Sequence, residues 1–172
     1  MPRKVFHMKN RLVLFIVSIL LLMEMACNRQ AKQAREYHDT VMQATQVVID
    51  SSLDFTDAVQ RYKKEDAIQS LKNYSDLVER ALSSVQQKGK FKEDTTLQFF
   101  AKEMLLFYKG SLKTGFQPFL NAVNSNSFTN QEAATADSLI TDFTMNENLY
   151  WERFNWAEKK FYQEHDLSKT EK

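Results

Sequence analysis

Beyond residue 27, the side chains able to do acid–base, nucleophilic or metal chemistry are His38, His165, the carboxylates and the hydroxyls. A di-iron bundle needs Glu-x-x-His on two helices plus two further Glu. Three places before the two histidines stand Arg35 and Tyr162, so that motif fails. His-Glu-x-x-His and Cys-x-x-Cys-His do not occur. The glycines, at 89, 110 and 115, are too scattered to cradle a phosphate. A serine triad needs a buried, oriented histidine. His38 beside Asp39, and His165 near the end of the last helix, are both expected in solvent. The pairs Asp54/Asp57 and Asp137/Asp142 have no acid–base partner and read as solvated faces. The expectation is a non-catalytic protein with no metal and no cofactor.

One thiol remains, and its position is informative. Arg3, Lys4, Lys9 and Arg11 form a basic start, followed by the apolar run Leu12 to Met23 and then Glu24-Met25-Ala26-Cys27. A positive segment followed by an apolar run of roughly 7–15 residues is the layout of a secretory signal. At about 1.5 Å per residue the run spans roughly 18 Å, well short of a hydrocarbon core of about 30 Å. Extending it through Ala26 would place Glu24 in the bilayer, at a cost of a few kcal/mol. Export is therefore the reading, with no stable membrane span.

Ala26 immediately before Cys27 resembles the lipobox of bacterial lipoproteins, in which the cysteine is lipidated and becomes the new N-terminus. Glu24 departs from the pattern, standing where an aliphatic residue is usual. The resemblance covers the signal region only. It implies a signal peptide over 1–26, a palmitate-type anchor at Cys27 and a membrane-proximal tether over 27–36. The thiolate is the side chain nucleophilic enough near neutral pH to be alkylated with diacylglycerol. Two or three acyl chains hold far better than a single marginal one. No acidic residue follows within Asn28-Arg29-Gln30-Ala31-Lys32. The implied place is therefore the outer membrane of a bacterial envelope, with the body facing the periplasm.

Removing residues 1–26 takes four basic residues and one acidic residue from totals of 23 and 22, turning a formal charge of +1 into −2. The basic balance belongs to the leader, and no nucleic-acid partner is expected. Hydrophobic residues at 43% suffice for a packed core, and 3 Gly with 2 Pro are too few for a hairpin-rich β fold.

The remaining chain reads as four helices. Tyr37, Val41, Ala44, Val48, Phe55, Val59 and Tyr62 recur at the helical period, with Ser51 or Ser52 filling the gap, and predict a long first helix from about Arg29 to Tyr62. The second shows Ala67, Leu71, Tyr74, Val78, Leu82 and Val85 and stops near Gly89. Asp94 is the expected N-cap of the third, whose seam is Leu97, Ala101, Met104, Tyr108, Leu112, Gly115, Phe119 and Val123, with a kink at Pro118. After the loop over 124–128, Thr129 and Glu132 form a capping box. The fourth helix carries Ala136, Leu139, Phe143, Asn146, Tyr150, Phe154, Ala157 and Phe161 and frays after His165. The fold class is all-α: a four-helix antiparallel bundle over 37–165, or a coiled-coil hairpin that dimerises, with a polar tail over 166–172.

Aromatic residues concentrate late, with 15 of 21 from Phe91 onward. On a wheel of about 100° per residue, Phe99 and Leu106 fall opposite Tyr108, and Met145, Leu149 and Trp156 fall together off the seam of the fourth helix. Such breadth is in part ordinary core. The sharper expectation is an interaction patch for a protein partner or a second copy. The alternative is a binding module for an apolar small molecule or lipid, in a cavity near Gly115 and Pro118. Asn146, polar on the seam, is expected to fix helix register.

Overall fold

The computed structural model describes the backbone of residues 3–167 and the side chains of residues 29–167. Cys27 and the signal segment lie outside the described side chains. The elements in order are α1 (Arg3–Gln60), α2 (Lys64–Lys88), α3 (Thr96–Ser111), a π-helical turn (Leu112–Phe116), α4 (Gln117–Ala122) and α5 (Asn130–Glu164). The third expected helix is thus α3, the turn and α4 in sequence. The architecture is the expected all-α four-helix bundle with a long first helix. Among the described residues, no helix is long and apolar enough to cross a membrane.

The seams of α1 and α2 pack as their spacing dictates. Tyr37, Val41, Val48, Phe55 and Val59 of α1 are buried against Ala67, Leu71, Tyr74, Val78, Leu82 and Val85 of α2. Ser52 is buried and fills the gap in the α1 stripe, its hydroxyl donating to the Ile49 carbonyl at 2.8 Å. At mid-height, rings from all four helical segments meet. Phe55 stacks on Tyr74 at 5.1 Å and meets Phe116 edge-on at 4.8 Å, while Phe116 meets Phe143 at 5.7 Å. The core runs past the expected bundle limits at both ends, since Ala34 and Leu167 are also buried.

Helix ends follow local chemistry where the signals are local. α2 stops at Gly89, whose φ of 68° is open to glycine without a Cβ clash. Asp94 acts one residue ahead of the assigned cap, its Oδ1 accepting from the Thr96 N–H at 2.8 Å. Thr129 and Glu132 form the capping box of α5. The start of α2 is different. Its cap residue Lys63 offers no side-chain bond, and Asn126, from the loop ahead of α5, accepts from Lys64 N through its carbonyl and from Glu65 N through Oδ1.

The third segment corrects the expected simple kink at Pro118. Buried positions run 108, 112, 116 and 120 in four-residue steps. On an α-helix those twelve residues would turn Leu120 by about 120° away from Tyr108. The π turn absorbs one residue and brings it back to within about 20°. The N–H of Gln117 accordingly bonds Leu112 O, five residues back. Phe116 and Leu120 are therefore the inward residues. The expected seam members Gly115 and Phe119 are half-buried, Phe119 meeting Phe128 at 5.3 Å.

Candidate functional site

α3 and α5 pack side by side along one flank of the bundle. Phe107 of α3 stacks on Tyr150 of α5 at 4.8 Å and on Phe143 at 5.6 Å, and Phe100 meets Trp156 edge-on at 5.7 Å. The half-buried Phe100, Phe107 and Tyr150 close the seam between the two helices. With the inward faces occupied, the outward ones stay in water. Phe99 is 53% exposed, Leu106 41%, Met145 56%, Leu149 56% and Trp156 53%. All five residues of the expected patch are thus on the surface and are not core. Phe99 touches Phe100 edge-on at 5.1 Å, so Phe99, Phe100 and Trp156 form one continuous line of rings.

Cations frame the rings. Lys160 Nζ lies 5.3 Å over Trp156 and the Arg153 guanidinium 5.8 Å over Tyr150. Such contacts contribute about 0.5–1 kcal/mol at exposed sites. Trp151, 43% exposed, points elsewhere, because five residues turn a helix by about 140°.

The two histidines correct the solvent expectation. His38 is 5% exposed, with Nδ1 3.0 Å from Asp39 Oδ1, Nε2 3.2 Å from Glu158 Oε1, and its ring edge-on to Tyr162 at 4.6 Å. His165 Nε2 lies 3.0 Å from Asp94 Oδ2, with its ring 4.3 Å from Phe161 and 5.0 Å from Phe91. The chain therefore does not fray at His165. Leu167 is buried, and Arg35 donates to its carbonyl at 2.9 Å. Burial pushes the Asp94 carboxyl up, but hydrogen bonds from Thr96 and His165 outweigh it and hold it below the usual carboxylate range. The seven-residue step linking His38 to Thr45 and Ser52, all buried on α1, is the sequence signal that marks His38 as interior.

Asn146 is also reassigned. It is exposed and donates to the Asp142 carbonyl at 2.7 Å. Its neighbour Glu147 takes the register role, accepting from the buried Tyr108 hydroxyl at 2.7 Å. Burial raises the Tyr108 and Tyr74 hydroxyls far above their ordinary range, so both stay neutral donors. Tyr74 donates to the Val48 carbonyl at 3.1 Å.

The cavity expected near Gly115 is a groove of about 180 Å³ lined by Ser111, Thr114, Gly115, Leu139, Asp142 and Asn146. A larger groove of about 350 Å³ lies between α1 and α2, beside Ala44, Val47, Leu77 and Arg80. Both are open clefts, whereas drug-sized ligand sites bury most of the ligand in roughly 300–1,000 Å³. Among the described residues, no group of three or more His, Cys, Asp or Glu is placed to hold a metal ion.

No family model matches the chain, and neither the curated proteins nor the solved structures yield a match.

Proposed function

We propose that this is a non-catalytic, lipid-anchored helical protein of the bacterial envelope. It is tethered through Cys27 at the outer membrane, faces the periplasm and acts by protein–protein contact. The observation that supports the contact role is the α3/α5 face. Five large apolar side chains from two packed helices stay in water on a bundle that already has a full core. Single exposed apolar residues are ordinary, but a run of them rimmed by charge marks an interaction surface. Trp and Phe anchors flanked by Arg match the composition of interface hot spots.

Two experiments test the reading. Palmitate labelling of the wild type and Cys27→Ala tests the tether; equal labelling removes it. A photo-reactive group at Leu149 tests the contact. It is expected to cross-link the chain to one partner, either a second copy or another envelope protein. Trp156→Ala and Phe99→Ala should lose that product while helicity stays unchanged. A face that cross-links to nothing overturns the contact role.

A further inference from the structure

We infer that the occupant of the α3/α5 face is a second copy of this chain, its α5 laid antiparallel on the first about a two-fold axis passing between Tyr150 and Trp151. This deepens the contact reading by naming its partner, and rests on it. Along the outward side of α5, Asp142, Met145, Leu149, Glu152, Trp156 and Lys159 recur in steps of three and four, and all are exposed. That spacing is the seam of a coiled coil, carried here on a face turned away from the bundle core. The buried Ala136, Phe143, Phe154 and Phe161 take the opposite side of the helix. A two-fold interface must be complementary to itself. This seam meets that condition. Reversed on a copy of itself, it sets Asp142 opposite Lys159, Met145 opposite Trp156 and Leu149 opposite Glu152. One further layer, Ser138 opposite Gln163, closes each end with uncharged polar groups.

Charge selects the antiparallel arrangement. The charged groups near the seam are Asp142, Glu152, Arg153, Lys159 and Lys160 of α5, with Lys102 and Glu103 flanking it from α3. Glu158, Glu147 and Asp94 are held by His38, Tyr108 and His165, off the seam. In a parallel pair Asp142 would meet Asp142 and Lys159 would meet Lys159, and like charges set against each other oppose association. Antiparallel, each end of the seam carries one opposite pair. Glu152 lies beside the axis, where Arg153 of the other copy is placed to supply a cation. Within one chain Asp142 and Lys159 are seventeen positions apart, roughly 25 Å of helix, so they pair only between copies. Met145 of each copy covers the line of rings formed by Trp156, Phe100 and Phe99 in the other. A flexible thioether suits such an irregular aromatic surface. Both Cys27 anchors reach one membrane when the two-fold axis is normal to it.

The charge pair makes the test internal. The full chain is purified in detergent and its mass followed by sedimentation equilibrium over a concentration series, with circular dichroism in parallel. The wild type should dimerise. Asp142→Lys alone sets Lys against Lys, and Lys159→Asp alone sets Asp against Asp. Each should weaken dimerisation roughly tenfold or more with helicity unchanged. An equal mixture of the two variants should dimerise as the wild type does, because each chain then meets its complement at both ends of the seam. No recovery in the mixture, a dimer indifferent to both variants, or a wild type that stays monomeric overturns the inference. A Leu149 photo-adduct to another protein, beside a monomeric wild type, overturns self-pairing and leaves the contact role standing. A monomer with no adduct at all removes both.

Discussion

The Tyr108 hydroxyl donates to Glu147 Oε1 at 2.7 Å, a single polar link between α3 and α5 at the level of the central ring cluster. Tyr108 itself is fully buried. The bond fixes how far the two helices slide past each other, and therefore which side chains of each reach the surface together. Removing the donor leaves a half-buried carboxylate short of a partner, at about 1–3 kcal/mol. Tyr108→Phe should lose that much in denaturant unfolding, with a smaller loss in Glu147→Gln, which keeps an acceptor. Equal stability of Tyr108→Phe and wild type would show that the link does not hold the register.

Asp94 connects the acid limb of stability to one end of the bundle. Its carboxyl is held below the ordinary range in the folded state, so the unfolded chain takes up a proton first as pH falls. Its contribution is therefore complete above the ordinary carboxylate range and disappears as pH drops through the lowered folded value. Asp94→Ala should cost about 1 kcal/mol at neutral pH, as lost helix caps do, and should flatten the acid limb. Thermal melts across an acid pH series check both. An unchanged slope would mean that Asp94 does not carry the linkage.

The π turn is attributed to the four-residue spacing of Tyr108, Leu112, Phe116 and Leu120, and not to Pro118. Burying a Phe or Leu side chain is worth about 1.5–3 kcal/mol, which offsets the poorer geometry of one widened turn. Pro118→Ala should therefore keep the turn, with Phe116 inward and stability within about 1 kcal/mol of wild type. A regular α-helix through residue 120, with Phe119 turned inward, would contradict that attribution.

Much of this fold is legible in local pattern. The α2 stripe from Ala67 to Val85 is buried throughout, and Gly89 and the Thr129/Glu132 box mark real helix ends. What escapes the sequence depends on contacts far apart in the chain. Asn126 completes the start of α2 from some sixty residues away. Asp94 reaches His165 from the turn ahead of α3 and Glu158 reaches His38 from α5, partners that neither histidine's own neighbours announce. Tyr62 turns the chain at a φ of 54° with no glycine to announce it. The outward patch is half-legible. The helical wheel puts Phe99 opposite Tyr108, but only the packing of Phe100 on Trp156 and of Phe107 on Tyr150 shows that the bundle needs no further apolar cover.

The patch makes a contrast that thermal or denaturant unfolding can measure. Phe99→Ala and Trp156→Ala remove side chains about half in water and should each cost less than about 1 kcal/mol. Phe161→Ala, fully buried between Tyr37, Phe91 and His165, should cost about 3–5 kcal/mol. Large losses at Phe99 or Trp156 would assign them to the core and remove the interaction face.

The tether is tested most directly by the intact mass of the protein extracted from its native membranes. The expected chain begins at Cys27 and carries a diacylglycerol group with its acyl chains. A free thiol at Cys27 with residues 1–26 still attached would contradict it.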